Sequence, residues 1–129
     1  MFVTHFNWRM DHGFARVKQA IFSAAWIDEI APPGSGTLPP VFVGDLNAEP
    51  DSDEIRFLHG HGVQDGKSVH FADAWVYYIL VRGPDPERRG EPLVAKVAFN
   101  TPEPGKDGLV WPSDHFGLFA EIAVEPRNL

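Results

Sequence analysis

Three short polar clusters carry the side chains that could do chemistry, and each follows a strand-like run. Thr4 and His5 with Asn7 stand in "THFNW", Asp45 and Asn47 end "VFVGDLNAEP", and Asp114 and His115 stand in "WPSDHFG". Carboxylates bind a hard divalent cation, an asparagine can orient a phosphate or a water, and a histidine moves protons near neutral pH. Brought together, these types suit metal-assisted attack on a phosphoester. Each cluster also has a plainer reading. Asp45 and Asn47 are types that hydrogen-bond their own backbone in turns, Ser113 and Asp114 can cap a turn, and His5 can be a satisfied, half-buried histidine.

What must position them is a set of alternating elements. Residues 2–6 are apolar or β-favouring and predict a strand running into a loop. Over residues 14–30 the spacing becomes helical: Phe14, Val17, Ile21, Ala24 or Ala25 and Ile27 share a stripe, while Arg16, Lys18, Asp28 and Glu29 fall off it. "APPGSGTLPP" ends that helix, because proline cannot continue the hydrogen-bond ladder. The run at 41–43 has the form of a strand covered on both faces. Asp51 with Glu54 three residues on reads as a capping box opening a brief helix that "HGHG" closes. Strand composition returns at 75–81, at 93–99 and at 116–124, with "RGPDPERRGEP" as an exposed hairpin loop between the first two. Five strands and two helices in mixed order predict an α/β or α+β layered unit.

Length and composition bound the rest. A chain of 129 residues with 43% hydrophobic content builds one core, so a single domain over 1–129 is expected. Eighteen acidic against eleven basic residues, a net charge of -7, argue against general electrostatic attraction to nucleic acid. A divalent cation would invert that field locally. There is no cysteine, hence no disulfide, thiol nucleophile or zinc-thiolate centre. No run reaches membrane-spanning length and the start lacks a signal-peptide succession, so a cytoplasmic location is expected.

Taken jointly, "THFNW" with a following helix that carries Arg16 and Gln19, then "VFVGDLNAEPDSDEIRFL", "FADAW" and "WPSDHFGLFAEI", resemble the endonuclease/exonuclease/phosphatase superfamily, the DNase I-like fold. The resemblance implies a layered α/β sandwich with a mixed, largely antiparallel sheet, and hydrolysis of phosphodiesters or phosphomonoesters with Mg²⁺ or Mn²⁺. It gives Asp45 the attacking water, Asn47 a phosphate oxygen, and Asp114, with Asp45, the metal. His115 is implied to contact the scissile phosphate in an acid-base role, and His5 to stand near it. The implied partner is a phosphoester substrate, whether nucleic acid, phospholipid or a small phosphate ester.

The resemblance covers nearly all of this chain but about the second half of the family's domain, so an incomplete sandwich is expected. The glutamate that is the family's principal metal ligand belongs to the first half. Tyr77 stands where the family has the aspartate that partners the histidine of the SDH motif, and Asp73 reads as a structural cap. The competing expectation is a catalytically incompetent remnant or partner-binding half-domain, able to self-associate through an exposed sheet face or edge. His59 and His61 read as a solvated loop, and Trp8, Trp26, Trp75 and Trp111 as core or rim aromatics. Arg88 and Arg89 beside Glu87 and Glu91 read as a charge-balanced loop.

Overall fold

The computed structural model describes residues 1–32, 38–74, 78–83, 88–113 and 117–125. Its elements run β1 (Phe2–His5), α1 (Gly13–Ile30), β2 (Val41–Asp45), α2 (Asp53–Leu58), β3 (Phe71–Asp73), β4 (Ile79–Arg82), β5 (Pro92–Ala98), β6 (Glu103–Gly105), β7 (Gly108–Val110) and β8 (Gly117–Ile122). The architecture is mixed α/β. A four-stranded sheet has the order β1-β2-β4-β3, and β5-β8 and β6-β7 form two further pairs. Only β1 and β2 among these strands pair in parallel; the other pairings are antiparallel.

A parallel pair needs a crossover, and α1 supplies it. Its inward stripe of Ala20, Ile21, Ala24 and Ile27 is buried against the sheet, where Phe42 of β2 and Leu80 of β4 point back at it. Alternation along β2 leaves Val41 and Val43 half-buried on the opposite face, so this strand is covered fully on one side only. From α2, Ile55, Phe57 and Leu58 complete the core together with Phe71. Burial of each such side chain contributes about 1.5–3 kcal/mol. Phe14, placed on the inward stripe by spacing, is instead 75% exposed.

Two local readings are corrected. The helix cap at α2 is Ser52, with no side-chain capping bond, and Glu54 turns inward to Arg16 rather than back to the helix start. The expected hairpin between 75–81 and 93–99 does not form: β4 pairs with β2 and β3, while β5 pairs with β8. Main-chain bonds between Gly90 and Ala123 and between Ala123 and Glu91 tie the end of β8 to the start of β5. Among the described residues no helix is long and apolar enough to cross a membrane.

Candidate active site

His5 and Asp45 are register partners at the ends of β1 and β2. Gly44 makes that register workable. Its φ of 147° lies where side-chain-bearing residues rarely go, and a Cβ there would overlap the carbonyl of Thr4 on the neighbouring strand. After Asp45 the chain buries Leu46 at 1% exposure, which turns its polar neighbours outward. Asn47 then takes a left-handed φ of 46°.

Both faces of this turn are wired. The Asn47 backbone N–H donates to Asp45 Oδ1 at 2.9 Å, and the Asn47 side-chain amide donates to the Phe6 carbonyl at 3.1 Å. The Phe6 N–H donates to the Asp45 carbonyl at 2.9 Å. Asp45 Oδ2 is left facing His5 Nε2 at 3.8 Å, with both side chains substantially open to solvent. The turn reading of Asp45 and Asn47 thus holds, and it coexists with the convergence of His5, Asp45 and Asn47 at one sheet edge.

The loop after His5 is held from α1. Gln19 Oε1 accepts the Asn7 N–H at 3.0 Å, Asn7 Oδ1 accepts the Arg9 N–H at 2.9 Å, and Arg16 Nη1 donates to the Arg9 carbonyl at 2.7 Å. Arg16 was expected off the buried stripe, yet it is 8% exposed, because its Nε–H donates to Glu54 Oε1 at 2.6 Å. Glu54 is the residue that sequence reasoning missed at this site. Its capping-box spacing concealed a long-range partner, Arg16, which lies 38 positions away in the chain and off the apolar stripe of α1.

Beside the strand ends opens a cleft of about 1390 Å³. Its walls are apolar, with Val41, Val43 and Ile79 on one side and Val97, Leu118 and Ile122 on the other. Asp45, Asn47 and Glu49 also line it. Tyr78 lies there too, donating its hydroxyl to the Ala48 carbonyl at 2.8 Å. Burial, helped by the carboxylates of Asp73, Glu49, Glu54 and Asp51, pushes the Tyr78 phenol up to about 12.

Asp114, His115 and Tyr77 lie outside the described residues. Asp73, read as a cap, ends β3 with Oδ2 3.6 Å from His59 Nε2. His59, read as solvated, keeps only 23% of its side chain exposed there, because it closes α2 against β3. His61 is exposed as expected. Trp8 at 74% and Trp26 and Trp111 at 49% sit on the rim rather than in the core, and Trp75 is outside the described residues.

Among the described residues no three His, Asp or Glu side chains gather closely enough to hold an ion. Mg²⁺ demands several oxygens in octahedral array. The described donors therefore do not by themselves fit a divalent cation. No family model matches the chain, and no curated protein or solved structure matches it.

Proposed function

We propose that the chain is a phosphoesterase half-domain of the endonuclease/exonuclease/phosphatase superfamily, with a DNase I-like layered sandwich of which it forms the C-terminal part. The observation that carries this reading is the meeting of His5 with Asp45, register partners whose side chains stand 3.8 Å apart next to Asn47. In the reaction, water oxygen forms a new bond to phosphorus as the ester P–O bond breaks. Asp45 orients that water and takes its proton, Asn47 and His5 hold phosphate oxygens, and His115 returns a proton to the leaving oxygen. Mg²⁺ or Mn²⁺ is the ion this assignment calls for, with Asp114 and Asp45 as the residues that would hold it.

Hydrolysis of bis-p-nitrophenyl phosphate by the purified chain with Mg²⁺ or Mn²⁺, beside Asp45→Ala and His115→Ala, is the test. Turnover lost in both variants supports the proposal, and wild-type turnover no better than theirs refutes it for this chain. A second reading is favoured by the open apolar cleft: a half-domain that presents the motif turn but works only as a partner-binding element. Inactivity together with unaltered folding of both variants is the result that reading expects.

A further inference from the structure

Tyr78 enters the candidate site in a way that its ring alone does not explain. It stands immediately before β4, and since β4 runs antiparallel to β2 with Val43 opposite Ile79, it falls beside the strand end that delivers Asp45. Its backbone has a left-handed φ of 74°. Bulky residues rarely take that conformation, which persists only where the surroundings impose it. Here they do: Tyr78 is 8% exposed, packed into the core, and its hydroxyl donates to the Ala48 carbonyl at 2.8 Å.

Ala48 follows directly on Asn47, so the hydroxyl grips the motif turn from its far end. Its near end is held by Phe6, whose carbonyl accepts the Asn47 side-chain amide, and its middle by the burial of Leu46. Asn47, left-handed and with its N–H on Asp45 Oδ1, is thus fixed between two anchors, one just past β1 and one just before β4. Asparagine tolerates this conformation without requiring it, so a turn held at one end has others to visit. A phenylalanine in place of Tyr78 would fill the same space and supply no second anchor.

Neither role of a reacting group is open to this phenol. Burial, with the carboxylates around it, pushes it up to about 12, so near neutrality it keeps its proton and is no base. That proton is already engaged with a main-chain oxygen. We propose that Tyr78 is a positioning residue, which by holding the Ala48 carbonyl sets the orientation of Asp45 and Asn47 toward a phosphoester. The inference rests on the phosphoesterase reading for its substrate, and on the geometry of the turn for the rest.

Tyr78→Phe in the full chain tests this, beside Ile27→Val, a truncation in the core side of α1 that lowers stability without touching the turn. Circular dichroism verifies that both fold. With bis-p-nitrophenyl phosphate and Mg²⁺ or Mn²⁺, Tyr78→Phe is expected to lower kcat by about tenfold with KM little changed, the mark of lost orientation rather than lost binding. Ile27→Val keeps the wild-type kcat, and replacing Tyr78 by para-aminophenylalanine, which restores a donor on the ring, recovers most of it. Amide exchange followed by NMR gives a measure free of turnover: protection at Asn47 falls about tenfold in Tyr78→Phe and not in Ile27→Val. If the wild type is inactive, the phosphoesterase reading fails by itself and exchange at Asn47 decides the positioning role. A wild-type kcat in Tyr78→Phe, an equal loss in Ile27→Val, or an Asn47 amide that exchanges no faster in the first than in the second overturns the proposal.

Discussion

Arg16 and Glu54 meet at 2.6 Å inside the core, with 10% and 2% of their side chains exposed, and join α1 to α2 across an otherwise apolar contact. Removing one partner strands the other charge in a medium that cannot solvate it. Glu54→Leu should therefore lower unfolding free energy by about 3–5 kcal/mol, whereas Arg16→Met with Glu54→Leu should cost much less than either single change. Urea titration of the three variants measures this. An additive double variant would contradict a coupled pair. Arg16→Met has a further expected effect, because the same guanidinium holds the Arg9 carbonyl: amide exchange should rise across the loop that follows His5.

Gly44→Ala should be among the most damaging single-methyl additions in the chain. The new Cβ meets the Thr4 backbone, which cannot swing aside as a side chain can, and the φ of 147° is strained besides. The expected outcome is loss of β1–β2 pairing and a stability loss above about 2 kcal/mol, seen as a fall in the thermal midpoint.

At Asn47 backbone and side-chain contributions separate. Asn47→Gly keeps the left-handed conformation and loses the amide bond to the Phe6 carbonyl, while Asn47→Ala loses both. Denaturant midpoints should rank wild type above Gly above Ala, with a Gly-to-Ala gap of about 1 kcal/mol. If the phosphoesterase reading holds, Asn47→Gly lowers turnover more than its stability loss explains.

Tyr78 makes stability depend on alkaline pH. Its phenol ionises near 12 when folded and near 10 when not, so below 10 both states keep the proton and the full contribution is present. Between 10 and 12 the unfolded chain gives up its proton first, and roughly 2–3 kcal/mol is lost as pH rises through the folded value. Tyr78→Phe should be about 1 kcal/mol less stable near neutrality, for want of the bond to Ala48, yet flatter across that alkaline window. Urea midpoints taken from pH 8 to 12 for both proteins check the slope.

Elements with strong periodicity were readable from residue order alone. The strand expected at 2–6, the helix at 14–30 and the strand starting at 41 appear as β1, α1 and β2 with boundaries moved by a residue or two. β3 was not readable, since three residues of "FAD" carry no period, and neither was the separation of β4 from β5, because strand pairing is decided by distant partners. Phe14 and the outer stripe of Phe22, Trp26 and Ile30 show why: α1 is apolar on more than one side, so spacing alone does not say which side meets the sheet. His5, Asp45 and Asn47 converge as expected because two short strands end together, and the Arg16–Glu54 brace behind them is a long-range contact that no local motif announces.

Two strands running side by side in the same direction oblige the chain to travel back along the sheet between them, and α1 is that return journey. Anything that grips His5 and Asp45 at once therefore clasps the whole circuit from one strand to the other. By mass action a ligand at free concentration L that binds the folded circuit and not the melted one stabilises it by RT ln(1 + L/Kd), and whatever melts the helix weakens the grip. Occupancy at the strand ends and integrity of α1 are thus linked equilibria, each of which can be followed by measuring the other.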